Sequence, residues 1–218
     1  AELEELLLSK AGRVMIKLSP MLDLALALRT MKHTQEAHVI SVNNDCKELL
    51  LIIGETSPTH RIPIHCINLT SKGKQCFLFT REEEAETACT YAEKVGAYLY
   101  EPNASVLKAG AFRCIAASYH TKKLHPNSHL YTSDEWIEDF PGRAFLVTGQ
   151  CSFNKKEIKE CIGDIKKANI TVRNFPATVA EIRKRTKLSD GGEAYLFATT
   201  LSNDRKVLIR CSKVSSNL

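Results

Sequence analysis

The sequence predicts an α/β protein in three parts: the second half of a doubly wound sheet over residues 1–96, a small α+β connector over 97–140, and a compact β-α-β-α-β-β module over 141–218. Three observations support this reading. A strand, a helix and a strand follow one another near the start, with no glycine-rich turn between the first strand and its helix. A regular alternation of strand-like and helix-like stretches fills the last third. Charge divides the chain at the same place: residues 1–140 carry 15 Lys and Arg against 18 Asp and Glu, whereas residues 141–218 carry 15 against 7.

Composition sets the outer bounds. With 218 residues, 44% apolar and 25% charged, the chain can bury one large core or two small ones. No apolar run reaches the roughly 18–20 residues that span a bilayer. The opening AELEE lacks the positive region of a signal peptide, so a cytoplasmic protein without a membrane partner is expected. None of the eight cysteines forms a C-x-x-C pair or sits beside a histidine at zinc-finger spacing. They read as reduced, small core residues. His120, His125 and His129 are too loosely spaced for a ligand set, so no metal is expected.

Taken in order, Glu2–Leu8 reads as a short amphipathic helix, with Gly12 suited to a left-handed position after it. Arg13–Leu18 is the first strand. Ser19-Pro20 stops it, and Pro fits the first turn of a helix over 21–31. Ala37–Val42 is the second strand, so the three form a crossover between parallel strands. Asn43-Asn44-Asp45 is a turn, and the apolar run 49–53 returns as a buried antiparallel strand. An antiparallel strand inserted late into a parallel sheet is a feature of Rossmann-like methyltransferases. Strands over 62–69 and 75–80 form a hairpin. A helix opens at Arg81 with acidic residues in its first turn and runs to about Glu93. Tyr98–Tyr100 is a strand, Asn103 caps a helix over 104–119, and 128–132 is a strand. Ser133–Pro141 reads as a boundary. Beyond it come strand 143–148, helix 155–168, strand 170–174, helix 178–185, and strands 194–200 and 206–212. Two helices then cover one face of a small sheet.

The strings Val14–Asp23 (VMIKLSPMLD), Glu36–Leu50 (EAHVISVNNDCKELL), Tyr98–Arg113 (YLYEPNASVLKAGAFR) and Ile170–Pro176 (ITVRNFP) resemble a family of bacterial class I S-adenosylmethionine-dependent methyltransferases. Its members have a Rossmann-like catalytic domain, a small ferredoxin-like insert and a C-terminal THUMP-like domain. The resemblance covers essentially the whole chain. It implies that the first part belongs to the Rossmann-like sheet, the connector to the ferredoxin-like insert, and the last part to the THUMP-like domain. It also implies S-adenosylmethionine as cofactor and RNA, such as a structured tRNA or rRNA, as the substrate class. The family's cofactor loop and Asp-Pro motif lie upstream of this chain. An upstream methyltransferase half is therefore an expected partner, and this chain alone is expected neither to bind cofactor nor to catalyse.

Candidate residues follow. Ser19, Pro20 and Asp23 lie just past the C-terminal end of a parallel strand, the edge where such sheets bind ligands. They form a candidate edge of the substrate pocket, and equally Ser19 reads as the helix N-cap with Asp23 in the first turn. Glu101 and Asn103 flank a proline between strand and helix, as a contact to substrate or to the catalytic domain, or as a capped strand-to-helix connection. Lys155, Lys156, Arg173, Arg183, Lys184, Arg185 and Lys187 gather on or beside the two helices of the last part. An excess of eight positive charges in so small a segment attracts polyanions, of which phosphate backbones are the commonest. No RRM-type aromatic strand and no KH-type G-x-x-G loop is present. The alternative is a non-catalytic module whose basic face meets an acidic protein.

Overall fold

A computed structural model describes residues 2–55 and 61–214. The chain folds into two units, one from residues up to 88 together with 102–117, the other from 89–101 and from 118 onward. These units cut the chain differently from the three segments suggested by the sequence.

The first unit contains α1 (Glu2–Leu8), β1 (Arg13–Leu18), α2 (Leu24–Thr30), β2 (Thr34–Val42), β3 (Asp45–Gly54), β4 (Ile64–Thr70), β5 (Gly73–Phe79), α3 (Arg81–Glu86), α4 (Ala104–Ala109) and α5 (Phe112–Ser118). Its sheet has the order β1-β3-β2-β4-β5. Both β1 and β2 run antiparallel to β3, so they point the same way with β3 inserted between them, while β2 and β4 are adjacent and parallel. The β2–β3 turn is dictated locally. Asn43 and Asn44 both take positive φ (50° and 64°), which makes a two-residue hairpin whose twist matches its strands. Leu49, Leu51 and Ile53 of β3 are fully buried, and Ile52 on the other face is 5% exposed. Val39, Ile64, Cys66, Phe77 and Phe79 share the inner face, against which α4 packs. Each such side chain contributes about 1.5–3 kcal/mol.

Local signals mislead in four places here. Helix α2 starts at Leu24 instead of Met21. Asp23 is the extended N-cap residue and accepts the Leu26 N–H at 2.7 Å, while Ser19 Oγ accepts the Met21 N–H in a separate turn. Gly12 does not adopt a left-handed conformation. Helix α3 ends at Glu86 because Thr87 turns extended and the chain leaves to pair elsewhere. Thr90 O accepts from Lys123 N, and Ala92 N donates to Lys123 O, both at 2.9 Å. The single helix expected over 104–119 is broken at Gly110, which closes α4 at φ 83°. Helix α5 restarts on a borrowed cap: the Glu84 carboxylate accepts the N–H groups of Phe112, Arg113 and Cys114 at 2.8–3.0 Å. Three orphan donors at a helix start are thus satisfied by one side chain.

The second unit contains β6 (Tyr98–Pro102), β7 (Lys122–Lys123), β8 (Tyr131–Ser133), β9 (Gly142–Ser152), α6 (Lys155–Ile162), β10 (Asn169–Arg173), α7 (Val179–Thr186), β11 (Ala194–Thr200) and β12 (Lys206–Lys213). The expected β-α-β-α-β-β alternation is present from β9 onward. Helix α6 is shorter than expected and stops at Gly163, whose φ is 57°. The sheet does not stop at Pro141. Its order is β10-β11-β12-β9-β6-β8-β7, so connector strands and module strands form one surface. Ile158, Ile162 and Ile182 of the helices pack on one face with Leu196, Ala198 and Leu208. On the other face Phe145, Phe197, Val207 and Ile209 pack with Leu99, Leu124 and Leu130. The expected boundary is itself part of this core. Phe140 is 5% exposed and lies 5.0 Å from the Tyr100 ring and 5.3 Å from Tyr119. Among the described residues, no helix is long and apolar enough to cross a membrane.

This shared face predicts the behaviour of a fragment. Residues 141–218 alone expose the face carrying Phe145, Phe197, Val207 and Ile209, so the fragment is expected to bind a hydrophobic dye and to unfold with a broad transition. Calorimetry and dye fluorescence check this; a sharp, dye-free transition contradicts it.

Candidate nucleic-acid interface

Two short helices carry the basic face, and each is placed by its caps. Asn154 starts α6 by accepting the Glu157 N–H at 2.9 Å, and Thr178 starts α7 with a reciprocal capping box to Glu181. Ile158, Ile162 and Ile182 of the two helices are buried in the core. Their helical spacing turns Lys155, Lys156, Lys159, Lys184 and Arg185 outward. Lys187, left-handed at φ 63°, closes α7 and is exposed. Lys155, Lys156, Lys184 and Lys187 form no ion pair among the described residues.

The helix starts themselves do not offer anion sites. Glu157 is held below the usual carboxylate range by the Ser152 backbone N–H, then by Ser152 and Asn154 side chains. Glu181 is lowered in the same way by the backbone and hydroxyl of Thr178. Both first turns therefore carry an ionised carboxylate at neutral pH. The positive charge of this face comes from the lysine side chains and Arg185.

Two arginines of the expected set have internal partners. Arg173 Nη2 donates to Glu101 Oε1 at 2.8 Å. Arg183 pairs with Asp190 and reaches the carbonyls of Ala168 and Leu188 at 3.4 Å. The Glu101 side chain, 3% exposed, also takes two donors from Arg143, with Nε at 3.0 Å. Its carboxylate faces these two arginines. Asn103, 1% exposed, caps α4 through the N–H groups of Ser105 and Val106 at 3.1 and 3.2 Å. Ser19 and Asp23 are exposed at the end of β1, and both cap local backbone.

An aromatic feature escaped the sequence reading. Phe153 and Phe175, 22 positions apart, meet edge to face at 5.0 Å, and Arg185 lies 4.3 Å over the Phe153 ring. This places a cation and two rings at the junction of the loops before α6 and α7. Beside them a groove of about 530 Å³ is lined by His125, Asn174, Phe175, Pro176, Thr200 and Lys206. The only sequence signal was that each Phe stands within three residues of a helix N-cap. Half-buried His129 is pushed down to about 4, first by burial and then by the charges of Lys123 and Arg173. It is therefore neutral at physiological pH and adds nothing to the basic face.

Residues 98–141 match the model of a ferredoxin-like domain, and residues 142–213 match the model described as THUMP domain-like. The last part of the chain is a THUMP-like domain. Over 98% of its length the chain is similar to a crystal structure described as a "putative methyltransferase" from Porphyromonas gingivalis W83, with a TM-score of 0.92 and 39% identity. The chain spans 54% of the length of that protein chain. No curated protein matches it.

The geometry separates structural cations from free ones, and stability measurements should do the same. Glu101→Gln leaves two arginines around a neutral amide and is expected to cost about 2–3 kcal/mol, discounted for the arginines' exposure. Arg183→Ala is expected to cost about 1 kcal/mol, whereas Lys184→Ala stays within about 0.5 kcal/mol of the parent chain. Urea unfolding monitored by circular dichroism reads all three.

Proposed function

We propose that this chain is the RNA-binding and substrate-positioning portion of a cytoplasmic, S-adenosylmethionine-dependent RNA methyltransferase. The observation that carries the reading is the lysine face, without ion pairs among the described residues, on the helices of a THUMP-like domain, in a chain similar over nearly its whole length to half of a longer protein described as a "putative methyltransferase". The first unit supports it as well: in β1-β3-β2 an antiparallel strand stands between two parallel ones, the arrangement of a Rossmann-like methyltransferase sheet edge.

S-adenosylmethionine does not fit the residues present. The turn after β1 is Ser19-Pro20-Met21-Leu22-Asp23, without the glycines that let backbone approach a cofactor closely. The Asp23 carboxylate is already engaged by Leu26 N. Cofactor binding is assigned to the upstream half, which in this reading pairs along the outer edge of β1. Among the described residues β1 has one sheet neighbour, β3. Ser19, Pro20 and Asp23 at the end of β1 then border the substrate pocket of the whole enzyme.

Lys155, Lys156, Lys184, Lys187 and Arg185 track the RNA backbone, while Arg173 and Arg183 hold the fold. If about 3–5 of the free cations reach phosphates, log affinity falls with log salt at a slope of roughly −2 to −4. The pair Phe153 and Phe175, with Arg185 over it, adds a local stacking surface of the kind single-stranded bases use.

Binding to a structured RNA such as tRNA, measured by fluorescence anisotropy across salt concentrations, is the test. Replacing Lys155, Lys156, Lys184 and Lys187 with Glu is expected to weaken every RNA similarly and to flatten the slope. Unchanged binding transfers the basic face to an acidic protein partner. In a methyl-transfer assay on total RNA, the longer protein with its upstream half is expected to incorporate label and the 218-residue chain to incorporate none.

A further inference from the structure

We propose that Glu36, His38 and His65 form a binding site for a first-row divalent metal ion, zinc foremost, on the outer face of the first unit's sheet. The argument begins with strand geometry. Alternation along β2 sends Ala37 and Val39 inward, where both are fully buried, and Glu36 and His38 to the opposite face. The parallel register of β2 with β4 sets His65 directly beside His38. The two imidazoles stack with centroids 4.5 Å apart and planes 9° from parallel.

The donor atoms converge. Glu36 Oε2 lies 3.3 Å from His38 Nε2 and 4.0 Å from His65 Nε2, and all three ligand atoms fall within 4.8 Å of one another. A tetrahedral zinc ion with bonds of about 2.0–2.1 Å separates its ligands by roughly 3.3 Å. One edge already has that length, and the others close by small rotations of half-exposed side chains. Two histidines and a carboxylate suit zinc and its neighbours, and three ligands leave a fourth position for water.

The surroundings also orient the carboxylate. The Arg13 Nη2 donates to Glu36 Oε1 at 2.8 Å, which leaves Oε2 turned toward the histidines as a single-oxygen ligand held by an outer partner. The cysteines and the spacing of His120, His125 and His129 gave no such set, because this one is assembled across strands 27 residues apart in sequence. The site rests on sheet register and is independent of the RNA reading.

Titration of the 218-residue chain with Co(II), followed in the visible spectrum and then displaced by Zn(II), tests it. The expected result is one equivalent bound with nitrogen and oxygen ligands and no thiolate charge-transfer band. His38→Gln or His65→Gln is expected to weaken binding at least tenfold, and Arg13→Gln about tenfold. A thiolate spectrum, or binding indifferent to these substitutions, overturns the proposal. In case the variants fold poorly, protection is read on the unaltered chain. Zinc is expected to shield His38 and His65, but not His120, from diethyl pyrocarbonate in peptide mass spectra. Equal modification with and without zinc overturns it too.

Discussion

The second unit depends on one carboxylate. Glu101 leaves the end of β6 and is buried, with Arg143 of β9 and Arg173 of β10 both turned onto it. In sheet order β10 and β6 are four places apart. In a flat sheet that separation is about 19 Å, far beyond an arginine side chain. The contact therefore requires the sheet to curl around the cluster of Phe145, Phe197 and Leu99. A charge taken out of water is tolerated only when paired and fully hydrogen-bonded, so the two arginines and the curl are conditions of each other.

That constraint reorganises the reading of the basic surface. The excess charge of residues 141–218 is a property of composition, but its availability is decided pair by pair. Arg143 and Arg173 neutralise Glu101, Arg183 binds Asp190 and two carbonyls, and Arg210 reaches Cys161 O at 3.0 Å. The cations left free are mostly lysines on two helix faces whose starts are already occupied by ionised Glu157 and Glu181. Such exposed charges act within a Debye length of about 8 Å at physiological salt. They suit the salt-sensitive grip of a phosphate backbone better than a rigid, buried recognition pocket.

The first unit solves a different problem. Its sheet is saturated on one face by α4 and the apolar run of β3, while the opposite face mixes polar and apolar side chains, including Met15, 64% exposed, and Leu78, 57% exposed. On that face the paired histidines and Glu36 are the densest group of potential ligands, and Arg13 holds the carboxylate in place. The Glu84 cap on α5 and the Asn103 cap on α4 show the same economy: helices of six or seven residues, too short to persist alone, are fixed by side chains brought from elsewhere or by the residue just before the helix.

The sequence by itself determined many of the elements whose stabilising partners lie within a few residues, though not the Asp23 cap that starts α2 or the Gly110 break after α4. The Asn43-Asn44 turn, the α4 cap at Asn103 and the alternation of strand and helix after residue 142 were all legible, because turn chemistry, capping and hydrophobic period are local. The resemblance carried by four strings also anticipated the ferredoxin-like and THUMP-like parts. Tertiary structure alone decided the rest. It ended α3 early by pairing Thr90 and Ala92 with Lys123, extended one sheet across residues 97–142, and withdrew Arg173 and Arg183 from the free cations. It also brought Phe153 to Phe175 and His38 to His65. Each of these depends on which distant strands lie side by side, and strand register is set by the whole buried face, not by any residue's neighbours in the chain.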